Sequence, residues 1–416
     1  MQRVKVSRAL QKPKLLRAWS TSRDNTPRAG RPGIDGVTAL QFATRLDANI
    51  TTLAKSIREG QYGPSPLKGV AIPKAHSTEK RLICIPTIRD RIVQRAVVHY
   101  LVSGSKLPIY NSSSYGFIKG RGTTAAILRA LELRDKYDWC VKTDIESFFD
   151  RVPRGDLKAR VERALPHSSL TSLINKFIDC EIKKEDHLRS VLSARGIKQG
   201  VGLRQGMPLS PILANLVLST FDSDVEQVHI EMIRYADDII LFFSTKERAQ
   251  DGLSFIKERL ASQGLSIPEL SDQSKTRIFG PREAIDFLGR ELFFVTSEQR
   301  YVSQISRRQM SKIRQQLEDS FNLEARIKEG SNFQDTVVEL SRSISAYLGI
   351  YKDAYNFSAF DSELRATTRT ILEGIYKDIF GKSVLDHVNE RGRNFLGIGT
   401  LTMPEPLNDL EDSDLE

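Results

Sequence analysis

The chain has 416 residues, 40% of them hydrophobic, which excludes a disordered polymer and calls for two or three subdomains rather than one core. No apolar run approaches the roughly 18 residues that a membrane helix needs, and the N-terminus lacks the apolar core of a signal peptide. Lys and Arg number 62 against 52 Asp and Glu, a net charge of +10, and a body this basic suits a polyanion such as nucleic acid.

The charge is uneven. Residues 1–32 hold nine bases and one acid, Asp24, while residues 404–416 hold six acids and no base, leaving +16 on the rest. An Arg-rich, acid-poor start resembles a mitochondrial presequence, but residues 7–20 carry an apolar stripe and read as a helix feeding a folded domain. Cys84, Cys140 and Cys180 have no metal-type spacing and form no even set, which points to a reducing cytoplasm, without zinc.

In chain order, "RAGRPGIDGVT" (28–38) is a Gly/Pro turn cluster, followed by helical periodicity to about Arg58. Residues 70–73 and 81–85 read as two short strands joined by a polar turn, with a helix from about Ile88. "SSSYGFIKGRGTTAAI" is a Gly-rich loop entering another helix, and "WCVKTDIESFFDRV" (139–152) is a strand that ends in an acid and turns into a helix. "GLRQGMPLSPILANLVL" (202–218) is a loop entering a long helix from about Ser210. "MIRYADDIILFF" (232–243) is a strand, a tight turn at 236–238 and a second strand; residues 246–263 form a helix and "FLGRELFF" (287–294) one more strand. From Ser306 to about Tyr376 the pattern is helical, and beyond Phe395 it reads as disordered. Strands mixed with helices, without regular βαβ alternation, predict an α+β core and a separate helical module.

Asp237 and Asp238 stand side by side inside an apolar hairpin, where unpaired carboxylates are costly. Like charges so close need a neutralising cation, and Mg²⁺ chooses carboxylate oxygen. Asp144, at the end of another apolar strand, supplies a third acid if sheet pairing brings it across. Two ions about 4 Å apart would then activate a 3′-hydroxyl and stabilise a leaving pyrophosphate. Solvated strand ends are the plainer account of each acid taken alone.

At this point the chain resembles a known family. Tyr235-Ala236-Asp237-Asp238 is similar to the YxDD box of reverse transcriptases and "TDIESFFDRV" to their first acid motif. "GLRQGMPLSPILANLVL", "SKT" (274–276) and "FLGREL" (287–292) resemble later motifs of that family in the same order. "GIDGVT", "RLICIPTIRDRIVQRAV" and "SSYGFIKGRGTTAAI" narrow the likeness to bacterial group II intron reverse transcriptases and their relatives.

The resemblance implies an α+β right-hand polymerase: a basic N-terminal extension and start of the fingers (1–66), a fingers and palm domain with an antiparallel palm sheet (67–300), a helical thumb (301–395) and an acidic tail (396–416). It implies RNA-directed DNA synthesis from dNTPs with two Mg²⁺ ions, Mn²⁺ being a substitute, in a bacterial cytoplasm. Partners would be an RNA template and a DNA primer–product duplex, with no membrane. Asp144, Asp237 and Asp238 would be the catalytic, metal-binding acids, with the Ile145 carbonyl assisting. Lys74 and Arg81 match the basic pair on the triphosphate, where a point charge and a planar fork both suit phosphate. Phe149 matches the aromatic that leaves no room for a 2′-hydroxyl, with Phe148 beside it in the core. Gln205 and Gly206 match the pair facing nucleotide and template, and Lys275 the lysine that could protonate pyrophosphate.

The chain departs from the group II pattern where "TPQGGPLSP" becomes "LRQGMPLSP", placing Arg204 and Met207 beside the expected nucleotide pocket. "AHSTEK" stands where a Gly-rich turn is usual between Lys74 and Arg81. Beyond the thumb no basic DNA-binding or His/Cys-rich nuclease region is evident. That favours a stand-alone antiphage-defence enzyme working with a companion noncoding RNA. The alternative is a maturase that binds and helps splice its intron RNA. The sequence does not identify template, primer, oligomeric state or the role of the tail, nor separate templated from untemplated synthesis.

Overall fold

A computed structural model of the chain describes residues 8–21, 31–73, 80–103, 107–183, 185–396 and 398. Lys74 and residues 399–416 of the acidic tail lie outside the described residues. The chain divides into two compact units, residues 1–280 and 281–416.

Among the described residues the first unit carries six strands: β1 (Lys68–Pro73), β2 (Lys80–Ile85), β3 (Trp139–Asp144), β4 (Glu231–Tyr235), β5 (Asp238–Phe243) and β6 (Arg277–Phe279). β1 and β2 form an antiparallel pair, and the other four form an antiparallel sheet in the order β4-β5-β3-β6. β2 alternates as a strand covered on one side must, with Leu82 and Cys84 buried and Arg81 exposed. β5 does not alternate: Ile239, Ile240, Leu241, Phe242 and Phe243 are all buried, as befits an inner strand covered on both faces.

Helices Thr123–Lys136, Ser210–Gln227 and Lys246–Ala261 pack on this sheet. Helix Ile88–Val102 begins where the sequence suggested, because Pro86 ends β2's extension and the Thr87 side chain accepts the Asp90 N–H as an N-cap. Asp90 is itself buried and satisfied by the Tyr62 hydroxyl (2.6 Å), the Ser65 N–H (3.0 Å) and the Thr87 hydroxyl (2.7 Å). Helix Lys12–Ser20, preceded by a 3-10 turn at Arg8–Leu10, buries Leu15, Ala18 and Trp19 in the same core.

The second unit contains a three-stranded antiparallel sheet, β7 (Ile285–Phe287), β8 (Arg290–Val295) and β9 (Arg300–Gln304), followed by helices Arg307–Phe321, Leu323–Lys328, Phe333–Tyr351 and Phe357–Phe380. Residues 287–294, read from sequence as one strand, are a hairpin instead. Leu288 and Gly289 sit at φ 50° and 78°, reversing the chain between Phe287 and its partner Arg290. The sequence-based boundary after residue 300 falls inside β9, whereas the compact units divide at residues 280 and 281. A separate apolar core, built around Leu317, Leu340, Ile344, Phe360 and Leu372, holds these helices together.

Close approach of a helix to the central sheet depends on Gly252. A Cβ built there would stand 2.2 Å from Cζ of Phe243 on β5. Gly252→Ala should therefore destabilise the folded state by about 1–3 kcal/mol, measurable as a lowered urea midpoint with unchanged slope.

Candidate active site

The antiparallel register of β3 and β5 sets Asp144 opposite Asp238. β4 pairs with β5 so that Tyr235 faces Asp238, leaving Ala236 and Asp237 as a two-residue turn. The Ile145 N–H donates to the Asp237 carbonyl oxygen at 3.0 Å, fixing the turn against the end of β3. Sheet pairing thus brings together acids that are 93 residues apart in sequence.

Ala236 stands at φ 59°, a conformation that an L-residue adopts only when its surroundings demand it. A two-residue hairpin turn asks for it at its first position, and Arg234, whose side chain is fully buried, secures it. Its Nε and Nη2 donate to the two oxygens of Asp222 at 2.6 and 2.5 Å, and its Nη1 to Asn215 Oδ1 at 3.1 Å and the Ala236 carbonyl at 3.0 Å. Nη2 also reaches Ser114 Oγ at 2.9 Å, so all five guanidinium protons have acceptors available. Gly116 lies against the same turn, where a Cβ would stand 2.6 Å from the Ala236 nitrogen. Loop 111–121, helix Ser210–Gln227 and the acidic hairpin are therefore bound to one cation.

Asp144, Ile145 and Asp237 line a cleft of about 1210 Å³ together with Arg81, Phe149, Gln205, Gly206 and Lys275. Eight of the ten residues that the sequence nominated for the site thus border one space. Lys74 falls outside the described residues, and Asp238 is not among the residues that border the cleft. Phe149 is half-buried at the cleft while Phe148 is in the core, their rings meeting edge to face at 5.4 Å. Gly206, at φ 104°, lies so close to β2 that a Cβ would stand 2.4 Å from the Cys84 carbonyl oxygen.

The electrostatics are those of crowded acids. Burial pushes the Asp238 carboxyl up to about 6, with Lys142 opposing and Asp237 and Asp144 adding to the rise. Burial also raises Asp237, against its own backbone N–H, Lys275 and Arg81 and with the help of Asp144. Lys275 forms an ion pair with Asp144 Oδ2.

Among the described residues no cluster of three His, Cys, Asp or Glu side chains has the spacing of a preformed cation site. The donor set nevertheless fits a hard divalent ion. Asp144 Oδ1 and Asp238 Oδ1 are buried with no hydrogen-bond partner, an expensive state for carboxylate oxygen that a cation would relieve.

Sequence reasoning missed several groups. Arg95, Arg151, Arg195 and the exposed Phe117 also line the cleft. Arg195 pairs with Asp150 at 2.5 Å, and Arg151 with Glu146 at 3.3 Å. The Arg234–Asp222 pair was detectable in principle as single charges inside the apolar runs "MIRYADDIILFF" and "ILANLVLSTFDSDV". Arg204, expected beside the nucleotide, turns away from the cleft and is buried against Glu181 at 2.7 Å, while Met207 does border the cleft.

Residues 72–292, more than half of the chain, match the family described as reverse transcriptase (RNA-dependent DNA polymerase). Over 211 residues the chain is 32% identical to Protein YkfC of Escherichia coli (strain K12), covering 49% of this chain and 52% of that protein. It is 26% identical over 212 residues to the group II intron-encoded protein LtrA of Lactococcus lactis subsp. cremoris, covering 51% of this chain and 33% of LtrA. It is 27% identical over 183 residues to the retron Ec83 reverse transcriptase of Escherichia coli, covering 42% and 52%. The chain thus spans about half or less of the length of these relatives.

A carboxyl raised from 3.8 to about 6 binds a proton in the folded state that the unfolded state has released. Below pH 3.8 the group is neutral in both states, and its contribution to stability is lost as pH rises from there to about 6. In chelator, Asp238→Asn should remove this dependence and stabilise the protein at pH 7.5 by up to roughly 3 kcal/mol. Chemical denaturation at pH 5 and 7.5 checks the sign: the variant's advantage should be larger at pH 7.5.

Proposed function

The chain belongs to the reverse transcriptase (RNA-dependent DNA polymerase) family, and on that premise we propose that it copies an RNA template into DNA from dNTPs. The α+β architecture is that of a right-hand polymerase. The observation that carries the reading is the register placing Asp144 opposite Asp238, with Asp237 in the adjoining turn facing the cleft.

Asp144 and Asp237, with the Ile145 carbonyl, are the groups that would hold Mg²⁺ or its substitute Mn²⁺, and Asp238, across the sheet from Asp144, would complete the set. When bound, two such ions lower the pKa of a primer 3′-hydroxyl and offset charge on the departing pyrophosphate. The chain's own side chains supply the rest. Arg81, with Lys74 seven residues before it in sequence, grips the triphosphate. Phe149 walls the sugar and disfavours a 2′-hydroxyl. The Gln205–Gly206 backbone bounds the base and template side. Lys275 stands where its ammonium proton could pass to pyrophosphate as the bond to the α-phosphorus breaks.

The companion-RNA setting in antiphage defence is the finer reading. Its support is a polymerase site combined with a body of net charge +16 outside residues 404–416, suited to a stably held RNA. A maturase reading is favoured by the likeness to the group II intron-encoded protein LtrA.

Protein purified with its bound RNA should incorporate dNTPs into DNA complementary to that RNA. Asp237→Ala/Asp238→Ala should reduce incorporation by more than about a thousandfold, since several kcal/mol of charge stabilisation are removed. RNA binding without synthesis, unchanged by the alanines, would leave an RNA-binding protein and refute the polymerase.

A further inference from the structure

Gln205 and Gly206 belong to an irregular segment between helix Arg189–Ala194 and helix Ser210–Gln227. On its inner side the segment is tied to the cleft walls. The Gly202 N–H donates to the Val152 carbonyl (2.9 Å), the Leu203 N–H to the Phe149 carbonyl (2.6 Å), and the Cys84 N–H to the Gln205 carbonyl (2.7 Å). A Cβ on Gly202 would lie 2.7 Å from the Phe149 carbonyl oxygen, so this segment and the Phe149 turn move as one.

On its outer side the segment is held by Glu181, which does not line the cleft. Glu181 Oε1 accepts from Arg154 Nη1 at 2.7 Å and from the Gly200 N–H at 2.9 Å, and Oε2 accepts from Arg204 Nη2 at 2.7 Å. Each arginine then grips a carbonyl of the same segment: Arg154 Nε donates to Gly202 at 2.8 Å and Arg204 Nη2 to Lys198 at 3.0 Å. Both arginine side chains are about as buried as core leucines, 4% and 3% exposed. Arg154 Nη2 and Arg204 Nε and Nη1 have no hydrogen-bond partner, so each guanidinium depends heavily on one shared carboxylate.

We propose that Glu181, acting through Arg154 and Arg204, is a positioning residue for the incoming nucleotide. The clamp fixes the Lys198–Gly202 backbone, and that backbone sets the distance between Gln205–Gly206 and the Phe149 ring. Glu181 touches neither substrate nor acids. Its effect is on where the nucleotide sits, so it appears in KM and in sugar selection before it appears in the chemical step.

The inference rests on the polymerase reading, and steady-state dNTP incorporation on a primed RNA template by the full chain tests it. Glu181→Gln keeps the size and one acceptor but removes the charge. It should raise KM for dNTP about tenfold, the equivalent of one charged hydrogen bond, with kcat within about twofold of wild type. Discrimination against rNTP should fall in parallel, because Phe149 shares the segment. Arg204→Gln removes a buried charge rather than stranding one and serves if Glu181→Gln does not fold; it should shift KM the same way. Variants with lowered Tm but wild-type KM and sugar discrimination would make Glu181 a stability ion pair only and overturn the proposal. Wild-type protein that incorporates no dNTP would instead overturn the polymerase reading and this inference with it.

Discussion

The buried pair of Arg234 and Asp222 is the constraint on which the site depends. A guanidinium at 0% exposure is tolerable only because Asp222, Asn215, Ser114 and the Ala236 carbonyl take up its protons. Those acceptors lie on a helix, a loop and a hairpin turn that are far apart in sequence. The cost of leaving any of them unmade secures the left-handed Ala236 that the two-residue turn requires, and with it the presentation of Asp237 to the cleft. Replacing a buried ion pair with apolar residues need not weaken a fold, but here it would release the turn from the elements that aim it.

The acids illustrate a division of labour set by register. Asp144 and Asp238 face one another across β3 and β5, yet only Asp144 and Asp237 border the cleft. Asp238 does not border it, is raised by burial, and carries an unpartnered oxygen. Crowding of this kind stores unfavourable charge that a cation removes, while Lys275 answers it on the Asp144 side. The wall that carries Phe149, Gln205 and Gly206 is set by backbone proximity: Gly206 against Cys84 and Gly202 against the Phe149 turn. The acidic and basic walls are thus positioned by different means.

Much of this was legible in the sequence, for reasons that can be named. Strands β3, β4 and β5 declared themselves as short apolar runs, and the two adjacent acids marked the turn between them. The resemblance matched Phe149 to the sugar-facing aromatic and left Phe148 to the core, where it is fully buried at the start of the short helix Phe148–Arg151. What escaped was whatever depended on positive φ or long-range polar pairing. Leu288 gives no hint that it adopts φ 50°, so β7 and β8 merged into one strand. Arg204 read as a cleft residue because its neighbour Gln205 is one; only Glu181, distant in sequence, turns it outward. Arg234 reads as an ordinary charged residue until Asp222 is placed beside it.

The Arg234–Asp222 pair is expected to hold the acidic turn in place as part of a divalent cation site, and Mn²⁺ titration followed by electron paramagnetic resonance tests that most directly. Wild-type protein should bind Mn²⁺ saturably, Asp237→Asn should lose most of that binding, and Arg234→Met/Asp222→Leu should remain folded yet bind weakly. Undiminished binding by Asp237→Asn, or wild-type affinity in the folded Arg234→Met/Asp222→Leu protein, would contradict it.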